Sequence, residues 1–135
     1  MRGSDDDRLV AAARAARRHA VARQSGFKVG AALATADGRV FTGCNVENAT
    51  LGLTVCAERV ALWKALSEGA RSFRRLAVVA GPAKPTPPCG ACRQLLWEFC
   101  GDIPVVLANG RRVTGRYTLA ELLPAPFDRR LLESI

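Results

Sequence analysis

The chain has no apolar run approaching the roughly 20 residues that a membrane-crossing helix needs, and no charged-then-apolar leader of the secretory type. The reading that follows is a protein with no membrane contact that stays in the cytoplasm, where its thiols are kept reduced. Internal repeats, low-complexity tracts and long linkers are also lacking, so residues 1–135 read as one domain. Acids are in short supply: 12 Asp and Glu stand against 20 Lys and Arg, for a net charge of +8. Such an excess suggests nucleic acid, but the arginines are scattered and do not interleave with aromatics, which make up only 6% of the chain. A solvated basic surface is the simpler reading, and no nucleic-acid partner is expected. Five cysteines, an odd number at uneven spacings, argue against a disulfide framework and for metal or catalytic use.

What is present is a chain that is 49% hydrophobic and long enough to bury a core without covalent staples. Ser4 followed by Asp5, Asp6 and Asp7 reads as a helix start, and the apolar face of Leu9, Ala12, Ala13, Ala16 and Ala20 carries that helix to about Arg23. "FKVGAALATADGRVFTGCNVEN" reads as two strands about a turn at Asp37-Gly38. Thr54 is placed to cap a helix from Val55 to Glu68 that stops at Gly69, and "RLAVVAG" reads as a buried strand. The proline-rich "GPAKPTPP" leads into a helix from Gly90 to Phe99, stopped at Gly101. "IPVVLANGRRVTG" reads as a hairpin about Asn109-Gly110, and "TLAELL" as a short closing helix. The order α-β-β-α-β-α-β-β-α suggests one mixed sheet with helices on its faces.

On this outline Cys56 falls in the first turn of the second helix, while Cys89 and Cys92 open the third at i and i+3. Helix N-termini favour anions, hence thiolates, the form that binds metal. Three Cys ligands leave a tetrahedral Zn²⁺ one open position for water, as a catalytic site needs. Cys44, Cys100 and His19 are candidates for a fourth ligand, but none has ligand spacing. Glu58, two residues after Cys56, can reach such a water without ligating the metal, take its proton and pass it on. Cys-x-Glu followed by Pro-Cys-x-x-Cys matches the zinc-deaminase signature, with Cys in place of His.

Through "FKVGAAL", "GCNVENA", "CAERVA", "PCGACRQ" and "ELLPAPF", spanning Phe27 to Phe127, the sequence resembles the small, cysteine-only cytidine deaminases of pyrimidine salvage. The resemblance implies a three-layer α-β-α sandwich around a five-stranded mixed sheet, a homotetramer, and one Zn²⁺ per chain on Cys56, Cys89 and Cys92. It implies Glu58 as proton shuttle, Asn45 and Glu47 on the ribose hydroxyls, Phe27 against the pyrimidine, and Phe127 reaching into a neighbouring subunit's site. Three thiolates on Zn²⁺ carry a net −1, and Arg59 beside Glu58 is expected to offset it by hydrogen-bonding to sulfur. The implied reaction is hydrolytic deamination of cytidine and deoxycytidine, by attack of activated water at C4 and release of ammonia. Gln24 stands where many relatives have Tyr, and Leu51 where many have an aromatic, which bears on fine specificity. The other readings are deamination of a modified cytosine nucleoside or a blasticidin-like compound, a polynucleotide deaminase, and a non-catalytic zinc module. A carboxylate at Glu47 that accepts from free ribose hydroxyls favours a nucleoside and disfavours a 3′-phosphate.

Overall fold

A computed structural model of the protein describes residues 2–133. It opens with helix α1 (Arg2–Arg17), followed by strands β1 (Gly30–Thr35) and β2 (Val40–Cys44), helix α2 (Ala57–Ser67) and strand β3 (Phe73–Val79). Helix α3 (Gly90–Cys100), strands β4 (Pro104–Ala108) and β5 (Val113–Thr118), and the short helices α4 (Leu119–Leu122) and α5 (Arg129–Glu133) complete it. The strands form one five-stranded sheet in the order β2-β1-β3-β4-β5. Only β3 and β4 are parallel, and the crossover such a pair requires is the proline-rich loop plus α3. Neighbours β1–β2, β1–β3 and β4–β5 are antiparallel, so the sheet is mixed as expected.

The strand period of two divides the core in half. Ala31, Leu33, Leu76, Val78, Val105 and Leu107 face one side, where Ala61, Leu62 and Ala65 of α2 and Leu96 of α3 cover them. Ala32, Ala34, Ala77, Val79, Val106 and Ala108 face the other, under Leu9, Val10 and Ala13 of α1. The residues of β1 are buried along its whole length, because helices cover both faces. Two glycines set how closely those helices approach. A Cβ on Gly30 would lie 2.0 Å from the Ala13 carbonyl oxygen of α1, and one on Gly43 would lie 2.5 Å from the Ala57 carbonyl oxygen of α2. At the start of α1, the Asp5 carboxylate accepts from Arg74, and buried Asp6 accepts from Arg75 Nη1 at 2.7 Å and Arg116 Nε at 3.0 Å.

Some boundaries differ from the sequence reading. Helix α1 starts at Arg2, so Ser4 lies inside it, and it ends at Arg17 rather than near Arg23. Beyond it the Val21 amide donates to the Asn45 carbonyl at 2.9 Å and the Glu47 amide to the Val21 carbonyl at 2.7 Å, a strand-like pairing that overrides the alanine-rich pattern. Val55 likewise pairs with Val46, so α2 begins at Ala57; Thr54 does not cap it, and its hydroxyl instead accepts from the Asn48 amide at 3.3 Å. Helix α3 stops at Gly101, whose φ of 72° suits glycine, and the closing helix carries a capping box between Thr118 and Glu121.

Candidate active site

Cys56 is the N-cap of α2 and Cys89 the N-cap of α3, each in extended conformation, with Cys92 one turn into α3. The three sulfurs lie within 4.8 Å of one another, and Cys56 Sγ and Cys89 Sγ are 3.9 Å apart. Tetrahedral zinc with Zn–S bonds of 2.3 Å places its sulfurs about 3.8 Å apart, so the donor set fits that metal in both chemistry and spacing. Among the described residues no other group of three or more candidate ligands gathers, and Cys44, Cys100 and His19 stand outside this one.

Arg59, one turn after Cys56 on α2, donates from Nη2 to Cys56 Sγ at 3.3 Å, while its buried Nε finds no partner among the described residues. The hydrogen bond from Cys92, followed by Arg59, lowers the Cys56 thiol, and the same hydrogen bond together with burial raises Cys92. Glu58 is 4% exposed, and its burial pushes the carboxyl up to about 7, with the negative charge on Cys56 adding to the effect. A carboxyl balanced near neutrality both takes and gives protons. Glu58 is the second residue of α2 and one of its buried residues, two positions past the N-cap Cys56.

These groups head a cavity of about 360 Å³ whose lining includes Cys56, Glu58, Cys89, Phe27, Asn45 and Glu47. Asn45 is buried and clamps the segment before β1: its Nδ2 donates to the Phe27 carbonyl at 2.8 Å, and its Oδ1 accepts from the Val29 amide at 2.9 Å. Glu47 is half-buried, and the chain itself supplies donors to its carboxylate. Its Oε1 accepts from the Gln24 and Ser25 amides, both at 2.9 Å, and its Oε2 from the Ser25 hydroxyl. The Ser25 hydroxyl is the main reason this carboxyl stays below the usual range. Ser25 was missed from sequence, although it lies two residues before Phe27; its hydroxyl also accepts from the Phe27 amide at 2.9 Å. Phe127 does not line this cavity: it is 57% exposed, its carbonyl accepting from Gln94 Nε2 at 2.6 Å.

The model of the cytidine and deoxycytidylate deaminase zinc-binding region matches residues 3–108. This chain belongs to that family. It is 48% identical to a cytidine deaminase from Sporosarcina psychrophila, with 93% of each chain covered. It is 49% identical to one from Halalkalibacterium halodurans, over 91% of this chain and 94% of that one. A cytidine deaminase of known structure from Burkholderia pseudomallei superposes with a TM-score of 0.85 at 50% identity, covering 90% of this chain and 98% of that one. The deaminase-family chain thus has its three cysteines where the family's zinc-binding region lies.

Proposed function

We propose that this chain hydrolyses cytidine and deoxycytidine to uridine and deoxyuridine, consuming one water and releasing ammonia. The observation that carries the reading is buried Glu58 beside the three-thiol cluster at the head of a nucleoside-sized cavity. Cys56, Cys89 and Cys92 would hold one zinc per chain, which when bound supplies the Lewis acidity that makes water nucleophilic at neutral pH. Glu58 takes the proton from the attacking water and delivers it to the ring nitrogen; a second transfer through the same carboxyl carries a proton to the departing amine. Arg59 supplies positive charge beside a thiolate-rich site.

Phe27 packs on the pyrimidine, while Asn45 and Glu47 take the ribose hydroxyls. A carboxylate offers about four acceptor positions. Three at Glu47 are filled from within the chain, so one stays open to a hydroxyl donor. That arrangement favours a nucleoside over a polynucleotide, because a 3′-phosphate brings charge and no proton. Exposed Phe127 reaches a neighbouring subunit's cavity in a homotetramer, and the enzyme works in the cytoplasm. Loss of cytidine absorbance, followed on a sample assayed for zinc, tests the reading. Turnover with about one zinc per chain is expected; zinc-loaded protein that leaves cytidine and deoxycytidine intact, or deaminates an oligonucleotide as fast, would overturn it.

A further inference from the structure

On the α1 face of the sheet, away from the three-thiol site, lies a depression of about 410 Å³ lined by Arg14, Arg17, Arg18, Lys28, Val79 and Gly110. Four of these six residues are cations, and none is an acid. Among the described residues, none of the four takes part in an ion pair, although seven other arginines do. Two are fixed in place by carbonyls: Arg14 Nε donates to Asn109 at 2.8 Å and Arg17 Nε to Lys28 at 2.8 Å. Among the described residues neither guanidinium makes another hydrogen bond, so their terminal nitrogens are held ready with unused donors. Guanidinium stays charged at any physiological pH, and like charges gathered in a concavity focus a positive potential.

We infer that this pocket binds a compact oligophosphate anion, of the kind borne by a nucleoside polyphosphate or by free polyphosphate. Planar guanidinium groups match phosphate oxygens two at a time, and several such contacts suit a chain of phosphates better than a single carboxylate. A nucleic-acid strand is the weaker fit. Strand-binding grooves pair a basic track with aromatic platforms for the bases, and no aromatic lines this pocket. Lys28 lies between Phe27 and Val29, which line the substrate cavity, so the anion would sit behind one wall of the active site.

Isothermal titration of the zinc-loaded protein with magnesium tripolyphosphate, at low ionic strength, tests the site. Binding near one per chain that weakens as salt rises is expected. Arg14→Gln/Arg18→Gln should weaken it by roughly tenfold or more, since each removes a charge-assisted contact. A charge-matched control, Arg8→Gln/Arg129→Gln, should bind as the parent does; thermal unfolding of each variant checks that the fold stands. Titration with the oligonucleotide dT10 and with adenosine triphosphate separates the sources, tripolyphosphate and the triphosphate being bound more tightly than the strand. Parent-like affinity in Arg14→Gln/Arg18→Gln, an equal loss in the control, or tightest binding to the oligonucleotide would each overturn the proposal.

Discussion

Glu58 is the residue on which the chemistry turns, and its isolation from solvent allows a sharp test. Glu58→Gln should keep the fold and the zinc yet lose roughly 10²- to 10⁴-fold in kcat, the usual contribution of a positioned acid-base group. Metal analysis beside steady-state kinetics checks it; kcat within a few-fold of the parent would pass the proton work to another group. Arg59→Gln removes the donor at 3.3 Å from Cys56 Sγ and should weaken zinc retention against a chelator by roughly 10- to 100-fold, as loss of a ligand's hydrogen-bond partner does. Away from the site, burial pushes the Cys100 thiol up to about 12, so it should resist alkylation in folded protein and react only after unfolding, as peptide mass mapping would show. The cysteine cluster was legible in the sequence because Cys-x-Glu and Cys-x-x-Cys are local spacings on helix starts. Ser25 was not, because it meets Glu47 from 22 residues away and nothing local marks that pairing.

At the scale of elements, the strands and their order followed from apolar runs and turn residues, and both hairpins formed where Asp37-Gly38 and Asn109-Gly110 placed them. Helix ends were the weak point: Val21 and Val55 carry no signal of their pairing with Val46, which lies far along the chain from Val21. Close approach was also illegible, since a glycine in a strand looks the same whether it faces solvent or a helix backbone. Gly43→Ala should therefore destabilise by at least about 1–3 kcal/mol, the usual range for overpacking, and should displace the start of α2. Urea denaturation with zinc content measured in parallel checks both effects, and retained zinc at parent stability would show that α2 can yield. The docking of α1 should depend on pH. Arg74, through its hydrogen bond, holds the Asp5 carboxyl below its ordinary value, so between the folded and unfolded values the unfolded chain binds more protons. That contribution is complete above about pH 4 and is lost as the pH falls through the folded value. The difference in urea midpoint between parent and Asp5→Asn should close over that range.

At the scale of the whole molecule, the exposed apolar residues Leu51, Leu53, Phe127, Leu131 and Leu132 are what association would cover. Phe127→Ala should raise KM for cytidine while leaving zinc in place, if the proposed tetramer shares its sites; light scattering with kinetics on dilute protein decides it. The sheet that unites the molecule also sets an order of events during its synthesis. Asp6 emerges from the ribosome near the beginning, yet one of its partners, Arg116, is 110 residues further on. At about 5–20 residues per second, Asp6 waits roughly 5–20 s for this second partner, and the cover over Leu9, Val10 and Ala13 is incomplete until Val106 and Ala108 of β4 have been made. The nascent helix is thus open to capture by a chaperone until the later strands of the sheet have been made.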